Sequence, residues 1–173
     1  MKDYVHHLKL ECDFEELKKE IKQLKVSPYN LRDKNNWDES LKAKWRDKEL
    51  NVRHRKTSGY IDCEGKEINR IVEYFKNILN CEIKPVYTIQ RKNTELPMHR
   101  DSEVMLASIN ILLEDNYIPI TFEDIGEVNY KIALINISKY HMVKSQDIDR
   151  ELLKLCIFNK SFNECKELLN RGV

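Results

Sequence analysis

Apolar residues keep helical spacing in the first half of this chain and alternate or run together in the second. Phe14, Leu17, Ile21 and Leu24 fall on one face of a helix predicted from Asp13 to Val26. Asp13 and Glu16 have capping-box spacing at its start, and Pro28 ends it. Tyr29 to Asn36 is polar and turn-like, and a short amphipathic piece follows from Trp37 to Trp45. From Glu64, the residues Ile68, Ile71, Val72, Phe75, Ile78 and Leu79 form a strong helical stripe that Asn80 can stop.

Past Lys84 the pattern predicts strands. Pro85–Arg91, Val104–Leu113, Ile118–Phe122, Val128–Ile137, Tyr140–Val143 and Leu152–Phe158 are short, rich in β-formers and separated by polar turns. The turn Glu123-Asp124-Ile125-Gly126 joins two of them as a hairpin. Ser161 and Glu164 open a last helix, to Asn170, with another capping box. Helices gathered before a series of strands predict an α+β fold with an antiparallel barrel or sandwich. One domain is expected over residues 1–173, with a helical supporting half (1–83), a β core (84–160) and a terminal helix (161–173).

Composition narrows the chemistry. Thirty basic and 29 acidic residues give a net charge of +1, which argues against non-specific nucleic-acid or membrane-surface binding by the whole domain. The basic segment Lys42 to Lys56 reads as a solvated face rather than a nucleic-acid patch. Four glycines, none clustered, exclude the G-x-G-x-x-G and Walker loops that cradle phosphates, so side chains must carry any site. Five cysteines without a C-x-x-C exclude zinc-finger and thioredoxin-like sites and suggest reduced thiols. No apolar h-region opens the chain, and no stretch approaches the ~18 apolar residues of a membrane span. A soluble, cytoplasmic protein is the expectation.

One constellation suggests catalysis. His99 and Asp101 form an H-x-D tripeptide, and in extended chain residues two apart share a side. His141 follows 42 residues later in a strand-like segment. Two histidines and one carboxylate are the donor set of non-haem Fe(II) oxygenases, which leaves metal positions open for a chelating cosubstrate and dioxygen. Arg150, nine residues past His141, can follow a turn through Ser145-Gln146-Asp147 that folds its strand back beside His141. Its planar fork suits a carboxylate.

From Tyr87 to Asn159, the H-x-D, the distal His and the following Arg resemble the core of the 2-oxoglutarate/Fe(II)-dependent oxygenases. The aspartyl/asparaginyl β-hydroxylase-like and prolyl-hydroxylase-like branches are the most similar. The resemblance implies a double-stranded β-helix (a jelly-roll, cupin-like core) with the N-terminal helices packed against it. It implies His99, Asp101 and His141 as Fe(II) ligands and as the catalytic centre, and Arg150 as the partner of the distal carboxylate of 2-oxoglutarate. Asn110 and Tyr87 are further candidates for cosubstrate contact. The implied activity is a dioxygenase that hydroxylates an unactivated C–H bond of an amino acid or peptidyl side chain, consuming O2 and releasing succinate and CO2. The same chemistry on a nucleobase, and a non-catalytic cupin-like metal- or ligand-binding module, stand as alternatives. Arg91 and Arg100 flank the proposed site, where either could meet an anionic substrate, though exposed strand positions account for both.

Overall fold

The computed structural model describes residues 3–24, 57–60, 63–101 and 105–171. The expectations for Tyr29–Asn36, Trp37–Trp45 and Lys42–Lys56 lie outside the described residues. In chain order the elements are β1 (Val5–His7), α1 (Phe14–Gln23), β2 (Thr57–Tyr60), α2 (Lys66–Leu79), β3 (Ile83–Gln90), β4 (Leu96–His99), β5 (Ala107–Leu112), β6 (Ile120–Phe122), β7 (Gly126–Val128), β8 (Ile132–Ile135), β9 (His141–Val143), β10 (Arg150–Ile157) and α3 (Phe162–Arg171).

The strands form two antiparallel sheets. One has the order β1-β8-β5-β10-β3-β2 and the other β4-β9-β6-β7. From β3 to β10 the chain alternates between them, apart from the β6–β7 hairpin within the smaller sheet, so each sheet collects strands distant in sequence. This is the double-stranded β-helix, or jelly roll. The fold is therefore α+β, with helices on one side of the larger sheet and the smaller sheet on the other.

Two cores follow. The helix-facing core joins Leu17 and Ile21 of α1, Ile68, Ile71, Phe75 and Leu79 of α2, and Phe162, Cys165 and Leu169 of α3 to Ile109, Leu134, Leu153 and Leu155 of the larger sheet. The inter-sheet core joins Val86, Ala133, Ile135 and Cys156 to Leu96, Ile120, Phe122 and Val143. Strands β5 and β8 are buried at every position because both of their faces are covered. That explains their near-continuous apolar runs, and it makes the polar residues within them informative.

The helix starts depend on contacts between helices. On α3 the capping box forms in both directions: Ser161 N donates to Glu164 Oε2 at 2.7 Å, and Glu164 N donates to Ser161 Oγ at 3.4 Å. On α1 only half of it forms. Asp13 accepts from Glu16 N at 3.0 Å, while Asp13 N donates to Glu67 of α2. Helix α2 starts after Gly65, which has no side chain to cap it. Glu20, buried on α1, accepts from Glu67 N at 2.8 Å and Ile68 N at 3.0 Å instead. A Cβ at Gly65 would lie 2.3 Å from Glu20 Oε2, so only glycine leaves room for that carboxylate.

The structure departs from the sequence pattern at several points. Residues 1–83 also supply the edge strands β1 and β2, and Thr57–Tyr60 pairs with β3 and satisfies its open backbone edge. The expected hairpin partner Val128–Ile137 divides. β7 pairs with β6 across a turn at Gly126 (φ +79°), whereas β8 crosses to β5. Largely exposed β7 can sit at a sheet edge, but Ile132–Ile135 is buried throughout and needs a layer on each face. Finally, β10 begins at Arg150 and lies between β3 and β5, so it does not fold back beside His141. Among the described residues no helix is long and apolar enough to cross a membrane. None of the five cysteines forms a disulfide, and burial raises the Cys165 thiol to about 12 and Cys156 to about 11, so neither is a thiolate near neutral pH.

Candidate metal centre

His99 ends β4, and His141 begins β9 directly opposite it. Between the paired positions Leu96↔Val143 and His99↔His141, β4 carries one extra residue, a β-bulge. Pro97 sits in this bulge, on the edge strand of its sheet, where a missing N–H is tolerated. The extra residue lets Leu96 and His99, three apart, both be buried. Asp101 follows just beyond the strand, where its N–H donates to Ile137 O at 3.0 Å.

The three side chains converge. His99, Asp101 and His141 are buried, and each offers a ligand atom within 4.8 Å of the others. Among the described residues no other group of histidine, cysteine and carboxylate side chains is arranged to hold a metal. The imidazoles stand 4.5 Å apart between ring centroids, and His99 Nε2 lies 3.6 Å from Asp101 Oδ1. Each histidine places Nδ1 against the carbonyl two residues earlier: His99 on Pro97 O at 2.6 Å and His141 on Lys139 O at 2.7 Å. A carbonyl only accepts, so both Nδ1 atoms carry the proton and both Nε2 lone pairs are free to ligate. Burial, with the neighbouring His99 next in weight, pushes His141 down to about 3. It is therefore neutral near pH 7, the form a metal requires. Two Nε2 donors and one carboxylate oxygen, with protein-fixed orientation, suit a divalent first-row metal such as Fe(II).

A polar stripe crosses the larger sheet opposite. Register places Ser108, Asn110, Lys154 and Arg150 on its inner face, together with Gln90, the cross-strand partner of Arg150. Arg150 is buried and donates from Nη2 to Tyr130 Oη at 2.6 Å. Asn110 Nδ2 donates to the same oxygen at 3.3 Å, and Asn110 Oδ1 accepts from Ser108 Oγ at 3.0 Å. Tyr130 thus accepts twice, which leaves its own proton to give. Arg150 Nε is buried without a hydrogen-bond partner among the described residues. The Arg150 guanidinium and the Tyr130 hydroxyl, 2.6 Å apart, are donors of the kind a carboxylate accepts.

Of the six residues chosen from sequence, five lie between the sheets. Tyr87 does not. It pairs in register with Leu153, packs in the helix-facing core and donates to Glu151. Strand alternation puts it on the face opposite Arg150, which corrects the expectation that it touches a cosubstrate. Tyr130, which sequence reasoning missed, stands beside Arg150 instead. It lies in the loop before β8, where no periodicity reveals direction. Lys154 was also missed: its Nζ lies 2.5 Å from Asp101 Oδ2. Its signal was legible, since a lysine between Leu153 and Leu155 in a buried strand, four residues past Arg150, shares that residue's face. Arg91 pairs with Asp149 at 2.9 Å and ties β3 to the start of β10, while Arg100 lies 5.9 Å from the Tyr140 ring centroid.

No family model and no curated protein matches this chain. Several solved structures do. A Pseudomonas putida prolyl-4-hydroxylase is 12% identical, with a TM-score of 0.47 over 61% of this chain and 73% of its own. A 2OG-Fe(II) oxygenase family oxidoreductase from Burkholderia pseudomallei is 10% identical, with a TM-score of 0.45 over 90% and 96%. An RmlC-like cupin from Desulfovibrio desulfuricans is 14% identical, with a TM-score of 0.39 over 60% and 84%. At such scores these likenesses carry no weight beyond the strand order already described.

Proposed function

We propose that this protein is an Fe(II)- and 2-oxoglutarate-dependent dioxygenase that hydroxylates an amino acid or a peptidyl side chain. One observation carries the reading: a buried His99–Asp101–His141 cluster, with both Nε2 atoms freed for a metal, faces a buried arginine across the same inter-sheet space. Three ligand side chains converge at one end, and the Arg150 guanidinium meets the Tyr130 hydroxyl at the other.

In this reading His99, Asp101 and His141 hold the metal on one side. Arg150, Tyr130 and Asn110 orient the distal carboxylate of the cosubstrate. Leu112 and Leu152, buried beside Tyr130, keep that end dry and so strengthen the ionic contact. The bound metal and cosubstrate supply oxidative decarboxylation to succinate and CO2 and the hydroxylation that follows. The chain's own contribution is geometry, shielding and fixed protonation. A reducing, cytoplasmic setting fits five cysteines that form no disulfide.

The test is succinate formation with Fe(II), ascorbate and 2-oxoglutarate. The wild type should show at least slow uncoupled turnover, which His99→Ala and Asp101→Ala should abolish. Retained turnover in both variants overturns the assignment. Binding of metal and 2-oxoglutarate without any succinate would support the cupin-like module instead.

A further inference from the structure

We propose that Lys154 sets the affinity of the metal centre by sharing Asp101 with the metal, one carboxylate oxygen each. The inference rests on reading His99, Asp101 and His141 as metal ligands and deepens that reading. Asp101 turns Oδ1 towards His99 Nε2, at 3.6 Å, and Oδ2 towards Lys154 Nζ, at 2.5 Å. The side chains are well enclosed, 1% exposed for Asp101 and 14% for Lys154. Oδ1 is therefore the oxygen presented to the metal, and Oδ2 is held by an ammonium. Asp101 is restricted to ligating through one oxygen.

Charge gives this arrangement a direction. A divalent cation on Oδ1 and the ammonium on Oδ2 are like charges held across one carboxylate, in a space shielded from water. Their repulsion is therefore weakly screened. The ammonium also neutralises the buried carboxylate when no metal is present, so a metal gains less on arriving. Both effects weaken metal binding. Loss of an ordinary orienting partner of a metal ligand moves affinity the other way, lowering it by roughly 10–100-fold. The sign of the change thus separates Lys154 as a charge competitor from Lys154 as a simple support.

Lys154 also lies on the same strand face as Arg150, so β10 presents two cations to the inter-sheet space. One stands beside the metal ligands and the other beside Tyr130. The lysine places positive charge at the metal end without adding a ligand.

The experiment titrates Co(II) into chelator-stripped wild type and into Lys154→Met, Lys154→Gln, Lys154→Arg and His141→Ala, following the visible absorption of bound cobalt. Lys154→Met and Lys154→Gln should bind Co(II) at least ten-fold more tightly than wild type. Lys154→Arg, which keeps the charge, should stay within about three-fold of wild type, and His141→Ala should lose the spectrum. The glutamine variant keeps a donor to Oδ2, so it isolates charge from hydrogen bonding and provides a second route should the methionine variant fold poorly. As a second readout, saturating Co(II) should raise the melting temperature more in Lys154→Gln than in wild type. If wild type binds and His141→Ala does not, but both neutral variants bind no more tightly than wild type, the role of Lys154 is overturned while the metal centre stands. If wild type and His141→Ala behave alike, the metal centre itself falls, and this inference with it.

Discussion

The Tyr130 hydroxyl is the most exacting point of the anion end of the site, because one atom there serves two donors. Replacing Tyr130 with Phe removes an acceptor 2.6 Å from Arg150 Nη2 and 3.3 Å from Asn110 Nδ2 and leaves the ring in place. Arg150 is only 3% exposed, and its Nε already has no hydrogen-bond partner among the described residues, so water does not readily replace the lost bond. A hydrogen bond to a charged group contributes roughly 1.5–3 kcal/mol net. The folded state should therefore lose about 2 kcal/mol, which lowers the melting temperature by about 4–8 °C in a chain of this size. The same loss acts on the orientation of the guanidinium and, under the proposed function, on the phenol proton offered to the cosubstrate. Affinity for 2-oxoglutarate should fall about 10–100-fold, at 1.4 kcal/mol per decade. Urea denaturation measures the first effect. Calorimetric titration of 2-oxoglutarate into anaerobic, Mn(II)-loaded protein measures the second, with Mn(II) affinity determined separately and expected to be unchanged. Arg150→Met serves as the reference for complete loss. If Tyr130→Phe binds 2-oxoglutarate within two-fold of wild type while Arg150→Met does not bind, the hydroxyl has no part in the site and the argument from paired donors fails.

Other outcomes follow from the same geometry. In metal-stripped protein the His141 imidazole is held down at about 3 against an ordinary 6.5, so below pH 6.5 the unfolded chain takes up a proton that the folded chain refuses. Stability should be full above pH 6.5 and fall as pH drops, by up to about 1.4 kcal/mol per unit, over a range that begins above the carboxylates. Urea midpoints from pH 7.5 to 4.5 check this, and an unchanged slope in His141→Asn would refute it. Gly65→Ala drives a Cβ onto the Glu20 carboxylate that caps α2, and should cost about 2 kcal/mol or more without altering metal affinity. A loss under 0.5 kcal/mol would mean Glu20 can move aside freely.

Local signals fixed the helices. Regular apolar stripes placed α1 and α2, and Ser161 with Glu164 marked the start of α3, because capping and helical periodicity act within a few residues. The H-x-D, the later His and the Arg were legible for a similar reason, since each is a residue type rare at buried positions without a partner. Alternation along β10 puts Arg150 and Lys154 on one face. Which face that was, and what lay opposite, depended on pairings between distant strands. Tyr87 shows the difference: its own strand reads correctly, but only its register with Leu153 reveals that it faces the helices. Tyr130 gained its role because β8 crosses to β5, a choice made by the need to bury Ile132–Ile135 on both sides. The bulge at Pro97 let His99 be buried together with Leu96, although strict alternation would have placed them on opposite faces. Sequence alone determined which chemistry this chain could carry. Tertiary structure decided which atoms meet, because a period of two assigns sides to a strand, whereas only long-range pairing and burial decide what each side faces.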